Sequence, residues 1–178
     1  KTNTEILGAF SLFPRNPTIA NYVTIFTDPS WYWGYINSII YVSLNTVISI
    51  CVALPAAYAF SRYPLKGNDT YLFVILTTRM LPAIVVIIPV MLMFRVTGLS
   101  GTYTGIILLY TAFNLPFTIW MMKSFFDELS PDVEDAARID GSSERGVFLK
   151  ICLPQVVAGL AATAVFGLIL TWKEFLFA

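Results

Sequence analysis

Glu134, Asp135, Ala136, Ala137 and Gly141, followed after nine intervening residues by Ile151, Leu153 and Pro154, gather acidic, small and helix-ending residue types in one short stretch. Such a set is suited to recognition: its carboxylates pair with cations, and its small residues let a second surface approach closely. A second set, Arg79, Asn114, Trp172, Lys173 and Glu174, falls inside or at the ends of apolar runs. Polar groups there are expensive and usually face a cavity or a partner. They can exchange hydrogen bonds with hydroxyls, and the Trp172 ring offers a stacking face. The competing reading has Lys173 and Glu174 snorkelling near the outer interface and Arg79 paired with a neighbouring subunit.

Several chemistries are excluded. The chain has no histidine, which removes HExxH metal sites and histidine acid-base or triad catalysis. It has no GxxxxGK[ST], so it binds no ATP through a P-loop, and no GxSxG or membrane GxGD that would suit an intramembrane enzyme. Cys51 and Cys152 are too few and too far apart for a disulfide framework or a metal knuckle. No catalytic residue, metal ligand or cofactor is therefore expected within this chain.

The elements that must carry these groups are set by composition. Of 178 residues, 57% are hydrophobic and only 12% charged, against roughly 25% charged in a soluble domain. This predicts an all-α, polytopic transmembrane bundle. Eleven basic and eleven acidic side chains cancel, so charge gives no argument for nucleic acid.

Residues 1–34, punctuated by Pro14, Pro17 and Pro29, read as an extracytoplasmic lead-in better than as a regular helix. Trp31, Tyr32, Trp33 and Tyr35 suit an interfacial aromatic belt. Residues 35–178 form the transmembrane domain, with spans expected at about 36–60, 71–94, 103–122 and 154–178, each near the 20 or so residues that a core of about 30 Å requires. Pro82 and Pro89 interrupt the second span and Pro116 lies in the third. Basic residues set the orientation: Arg62, Lys66, Lys123, Arg138, Arg145 and Lys150 share one side, against Lys1, Arg15 and Arg95 on the other. The 123–153 loop is therefore cytoplasmic. Residues 1–34 then lie outside, and the chain reads as a piece of a longer protein with one more span ahead of Lys1 and further sequence after Ala178.

The long loop has its own local logic. Ser130 is a suitable N-cap with Pro131 at the first helical position, and Asp132, Glu134 and Asp135 put negative charge at the positive end of the dipole. This predicts a short helix from about Pro131 to Asp140. Gly141 suits the left-handed residue beyond its end, and Ser142 or Ser143 can cap a second short helix reaching about Leu149. Val133, Ala136 and Ala137 share one face of the first helix. An amphipathic hairpin lying on lipid would be rich in Lys and Arg, whereas this stretch is net acidic, which favours a protein partner.

Asp135-Ala136-Ala137, three residues, Gly141, nine residues, Ile151, one residue and Leu153-Pro154 resembles the EAA loop of permease subunits in binding-protein-dependent ABC importers, with Asp135 in place of the usual Glu. Glu134 next to it could serve the same role. Ala57-Tyr58-Ala59, Leu81-Pro82, Leu115-Pro116 and Trp172-Lys173-Glu174-Phe175 are similar to the carbohydrate-uptake, maltose-importer branch. The resemblance covers about residues 18–178. It implies a type I importer permease fold in a prokaryotic plasma (inner) membrane, a second permease subunit, a cytoplasmic ATPase dimer that carries ATP and Mg, and an extracytoplasmic solute-binding protein. It also implies docking of the ATPase on Glu134, Asp135, Ala136, Ala137, Gly141 and the helix before Pro154, with Arg79, Asn114, Trp172, Lys173 and Glu174 near the path of a sugar or polyol. Importers of amino acids, peptides and anions share the same loop. An ion-coupled carrier would place several carboxylates in midspan, where only Glu174 qualifies.

Overall fold

A computed structural model describes residues 8, 12–13, 17–63 and 66–174. The chain divides into two units, Lys1–Ile40 and Tyr41–Ala178.

The first unit contains helix α1, Ala20–Thr27, and the opening turns of α2, Pro29–Arg62. This corrects the expectation of a lead-in without regular helix. Pro17 lies ahead of α1, and Pro29 occupies the first position of α2, where a missing N–H costs nothing. Asp28 accepts the Ser30 amide at 2.9 Å, and this bond holds its carboxyl below the usual range. Prolines so placed begin helices and do not prevent them. Trp31, Tyr32, Trp33 and Tyr35 are exposed on the first turns of α2. Pro14 lies outside the described residues.

The second unit carries the rest of α2, then α3 (Asn68–Thr78), α4 (Ala83–Thr97), α5 (Tyr103–Asp127), α6 (Pro131–Ile139) and α7 (Glu144–Gly146). A π-helical segment follows at Val147–Cys152, then α8 (Leu153–Gln155) and α9 (Val157–Trp172). Among the described residues, α2 and α5 are each long and apolar enough to cross a membrane, and Glu144–Gln155 with Val157–Trp172 would make a third crossing if the bent pair is one span.

The run 71–94 is not one helix. It breaks between Thr78 and Ala83, where Pro82 supplies no amide hydrogen and disfavours helical backbone at Leu81. Pro89 stays inside α4, as Pro55 and Pro116 stay inside α2 and α5. The run from 154 onward also differs: the helix before Pro154 meets α9 at a bend of 72° around Val156. The straight part, α9, has 16 residues, about 24 Å at 1.5 Å per residue.

The core sits low on α2 and α5, where Ala53, Ala57 and Tyr58 meet Met122 and Phe126. Ala137 of α6 and Val147 and Cys152 of the π segment complete it. The charged loop is thus built into the core. Much of the remaining surface is apolar, including Val47, Phe73, Ile84 and Ile88, as suits contact with hydrocarbon or other spans.

α9 packs on α5 and α2 through a ladder of small residues, Gly159 against Phe125 of α5 and Gly167 against Thr46 of α2. Gly159, Thr163, Gly167 and Thr171 recur every fourth position and are all buried, the small-residue spacing that lets membrane helices approach. A Cβ built on Gly159 would lie 2.2 Å from Phe125 Cγ, so the Phe125 ring rests directly on the α9 backbone.

Candidate functional site

The elbow formed by α6, Gly141 and the helix after it begins and ends on local signals. Ser130 Oγ accepts the Asp132 amide at 3.3 Å. α6 closes in a Schellman turn: the Gly141 amide donates to Arg138 O and the Ser142 amide to Ala137 O, each at 3.0 Å, with Gly141 at φ +85°. Of the two serines proposed as the second cap, Ser143 fills the role, accepting from the Gly146 amide at 3.3 Å. The second helix does not stop near Leu149. It continues through the π segment to Gln155.

The expected shared face of Val133, Ala136 and Ala137 is split. Ala137 is in the core, while Val133 and Ala136 are exposed. The buried partner of Ala137 is Glu134, only 2% exposed, so in this chain its carboxylate faces the core. Tyr58 Oη donates to Glu134 Oε2 at 2.9 Å and Arg62 Nε to Oε1 at 2.5 Å, with Arg138 Nη2 3.5 Å from Oε2. Arg62 also donates to Leu129 O at 3.1 Å, tying down the turn before α6. The Tyr58 ring packs on Phe126 and Phe148 at centroid distances of 5.5 and 5.0 Å.

Asp135, one residue on, points the other way and is exposed. Its carboxylate accepts from Arg138 at 2.7 Å, and Arg138 reaches on to Glu144 at 2.9 Å. The hydrogen bond from Arg138 holds the Glu144 carboxyl below its usual range. Exposed pairs of this kind contribute little to stability, so their partners can be exchanged. Ile151 and Leu153 are half-buried against the core, and Pro154 is exposed.

The second set of residues is partly brought together. Arg79, Asn114 and Glu174 line one recess of about 270 Å³ with Tyr110 and Thr171, near the roughly 300 Å³ lower end of small-molecule sites. Arg79 sits at the broken end of α3 and donates to the Phe113 carbonyl and to Asn114 Oδ1, the latter at 3.2 Å. Trp172 and Lys173 are exposed and do not line the recess. A helix turns about 100° per residue, so Thr171 facing inward carries Trp172 away, and the turn beyond α9, where the Glu174 amide donates to Thr171 O at 3.1 Å, brings Glu174 to the recess.

Sequence reading missed the seam beneath this recess. Thr171 Oγ1 accepts from Asn45 Nδ2 and from Asn114 Nδ2, both at 2.8 Å, and donates to Gly167 O at 2.9 Å. Ser49 donates to Asn45 Oδ1 at 3.2 Å. The available signal was the spacing of four between Asn45 and Ser49 and through Gly159, Thr163, Gly167 and Thr171. Thr171→Val, nearly isosteric, strands two buried amide donors. It should lower the thermal stability of the detergent-solubilised protein by about 0.6–2 kcal/mol, with Thr171→Ser close to the parent.

Comparison with known proteins agrees with this architecture. Residues 30–178 match the family described as binding-protein-dependent transport system inner membrane component. A probable ABC transporter permease of Sinorhizobium fredii is 41% identical over 97% of the chain, and the sulfoquinovosyl glycerol transport system permease SmoH of Agrobacterium fabrum is 32% identical over all of it. The chain spans 63% of the length of each of these relatives. A solved bacterial ABC transporter involved in import of the acidic polysaccharide alginate superimposes with a TM-score of 0.77 at 27% identity, over 98% of this chain and 61% of that one. With both elbow and bundle in place, this chain belongs to the family of binding-protein-dependent transport system inner membrane components.

Proposed function

We propose that this chain forms half of the translocation path of an ATP-driven ABC importer for a sugar or polyol, in a prokaryotic inner membrane. It pairs with a second permease subunit, receives cargo from an extracytoplasmic binding protein, and is driven by a cytoplasmic ATPase dimer that holds ATP and Mg. The observation that carries this reading is the elbow. Its inner face is locked into the core while its outer face leaves Val133, Asp135, Ala136 and Ile139 exposed, a small acidic and apolar knob suited to a basic cleft.

The cargo assignment draws on the recess, where Arg79, Tyr110, Asn114, Thr171 and Glu174 mix donors and acceptors as hydroxyl recognition requires. Relatives named for trehalose transport and diacetylchitobiose uptake are 34% and 32% identical to this chain. A half-site of this size would be completed by the second permease subunit.

The test is ATP-driven uptake of labelled trehalose and diacetylchitobiose by the full complex in proteoliposomes, with ATPase retention measured alongside. Gly141→Val is the decisive variant. A Cβ there meets nothing of this chain within 4 Å, so within the chain the substitution acts first through backbone strain, about 1–2 kcal/mol for a left-handed residue. Uptake should fall at least tenfold in Gly141→Val and stay near the parental rate in Gly141→Asn, because Asn accepts that conformation. A parent that retains no ATPase, or a Gly141→Val chain that transports and binds ATPase normally, would overturn the assignment.

A further inference from the structure

We propose that Glu134, Arg62 and Tyr58 are the positioning residues that pass movement of the elbow to the α2 span, a role separate from partner docking by the adjacent Asp135. The inference rests on the elbow being the ATPase docking element.

Tyr58 and Arg62 stand one turn apart on the same face of α2 and close on the two oxygens of one buried carboxylate. A carboxylate held at both oxygens resists sliding and rotation, whereas apolar contacts such as Ala137 against the core yield to either. The other polar links from the elbow are weaker candidates. Tyr63 reaches Glu144 at only 3.4 Å, at the surface, beyond good O–H···O geometry. The Arg138 pairs with Asp135 and Glu144 stay within the elbow. Arg62 also holds Leu129 O, so one guanidinium joins the start of α6, its buried face and the end of α2. Asp135 and Glu134 are about 100° apart around α6. One therefore faces a partner while the other faces the span.

The test uses the full complex in proteoliposomes in a Cys51→Ser background, because Cys51 is exposed and Cys152 buried. A spin label is placed by Ser142→Cys on the elbow or by Val47→Cys on α2, both positions being exposed. Spectra are taken before and after trapping with ATP and vanadate. In the parent both labels should respond. Glu134→Gln should preserve the Ser142 response and reduce the Val47 response at least fivefold. Retention of both responses in Glu134→Gln overturns the proposal, as does loss of both in an assembled complex, which would make the clamp a docking element. If Glu134→Gln does not assemble, Tyr58→Phe decides by the same two labels, since it keeps the ring on Phe126 and Phe148 and deletes only the hydroxyl. The Val47 response should then fall at least twofold, and an unchanged response overturns the clamp. A parent in which neither label responds would overturn the docking role of the elbow itself.

Discussion

Arg62→Ala should destabilise the detergent-solubilised protein by about 3–5 kcal/mol, the cost expected when one partner of a buried ion pair is removed and the other is left behind. Glu134 is 2% exposed and Arg62 donates to it at 2.5 Å, and without the guanidinium only the Tyr58 hydroxyl at 2.9 Å and the more distant Arg138 at 3.5 Å remain to compensate the carboxylate. The loss should exceed that of truncating a surface arginine of equal size, such as Arg145, which is exposed. Thermal unfolding followed by size-exclusion chromatography measures it. Arg62→Ala combined with Glu134→Gln should recover part of the loss, because the stranded charge is gone. Arg62→Ala at parental stability, or a double variant weaker than the single one, would show that the pair is not the anchor described.

Gly159→Val should have the next largest effect. The added Cβ would lie 2.2 Å from Phe125 Cγ and 2.4 and 2.6 Å from the two Cδ atoms, so either the ring or α9 must move. Overpacking of this kind costs about 1–3 kcal/mol. Phe125→Ala removes the obstacle, and the two substitutions together should be less damaging than their sum by about 1 kcal/mol or more, within the range of coupling between contacting residues. Additive losses in the four-member cycle would mean that α9 does not sit against α5 at this ladder.

The parts of the elbow legible in the sequence are those whose causes are local. Ser130 and Pro131 start α6, and Gly141 ends it, through bonds spanning at most five residues, so residue type and spacing suffice to place them. Membrane character and the all-helical class follow from composition, because apolar spans must satisfy their own backbone. The prolines show where this reasoning stops. Pro55, Pro89 and Pro116 remain within helices while Pro82 marks a break, and sequence spacing alone does not distinguish them. Neighbouring packing and polar groups decide which freed carbonyls are satisfied.

Residues 130–154 by themselves determined that a short, capped, acidic helix and a left-handed glycine would stand between apolar spans. Only the tertiary structure decided which way that helix faces. Glu134 turns inward because Tyr58 and Arg62, 76 and 72 residues earlier, supply the donors that make its burial tolerable. Thr171 likewise turns inward toward Asn45, 126 residues away, and so carries Trp172 and Lys173 off the recess. A buried polar side chain must find its partners wherever the fold brings them, and that pairing is not encoded in its own neighbourhood.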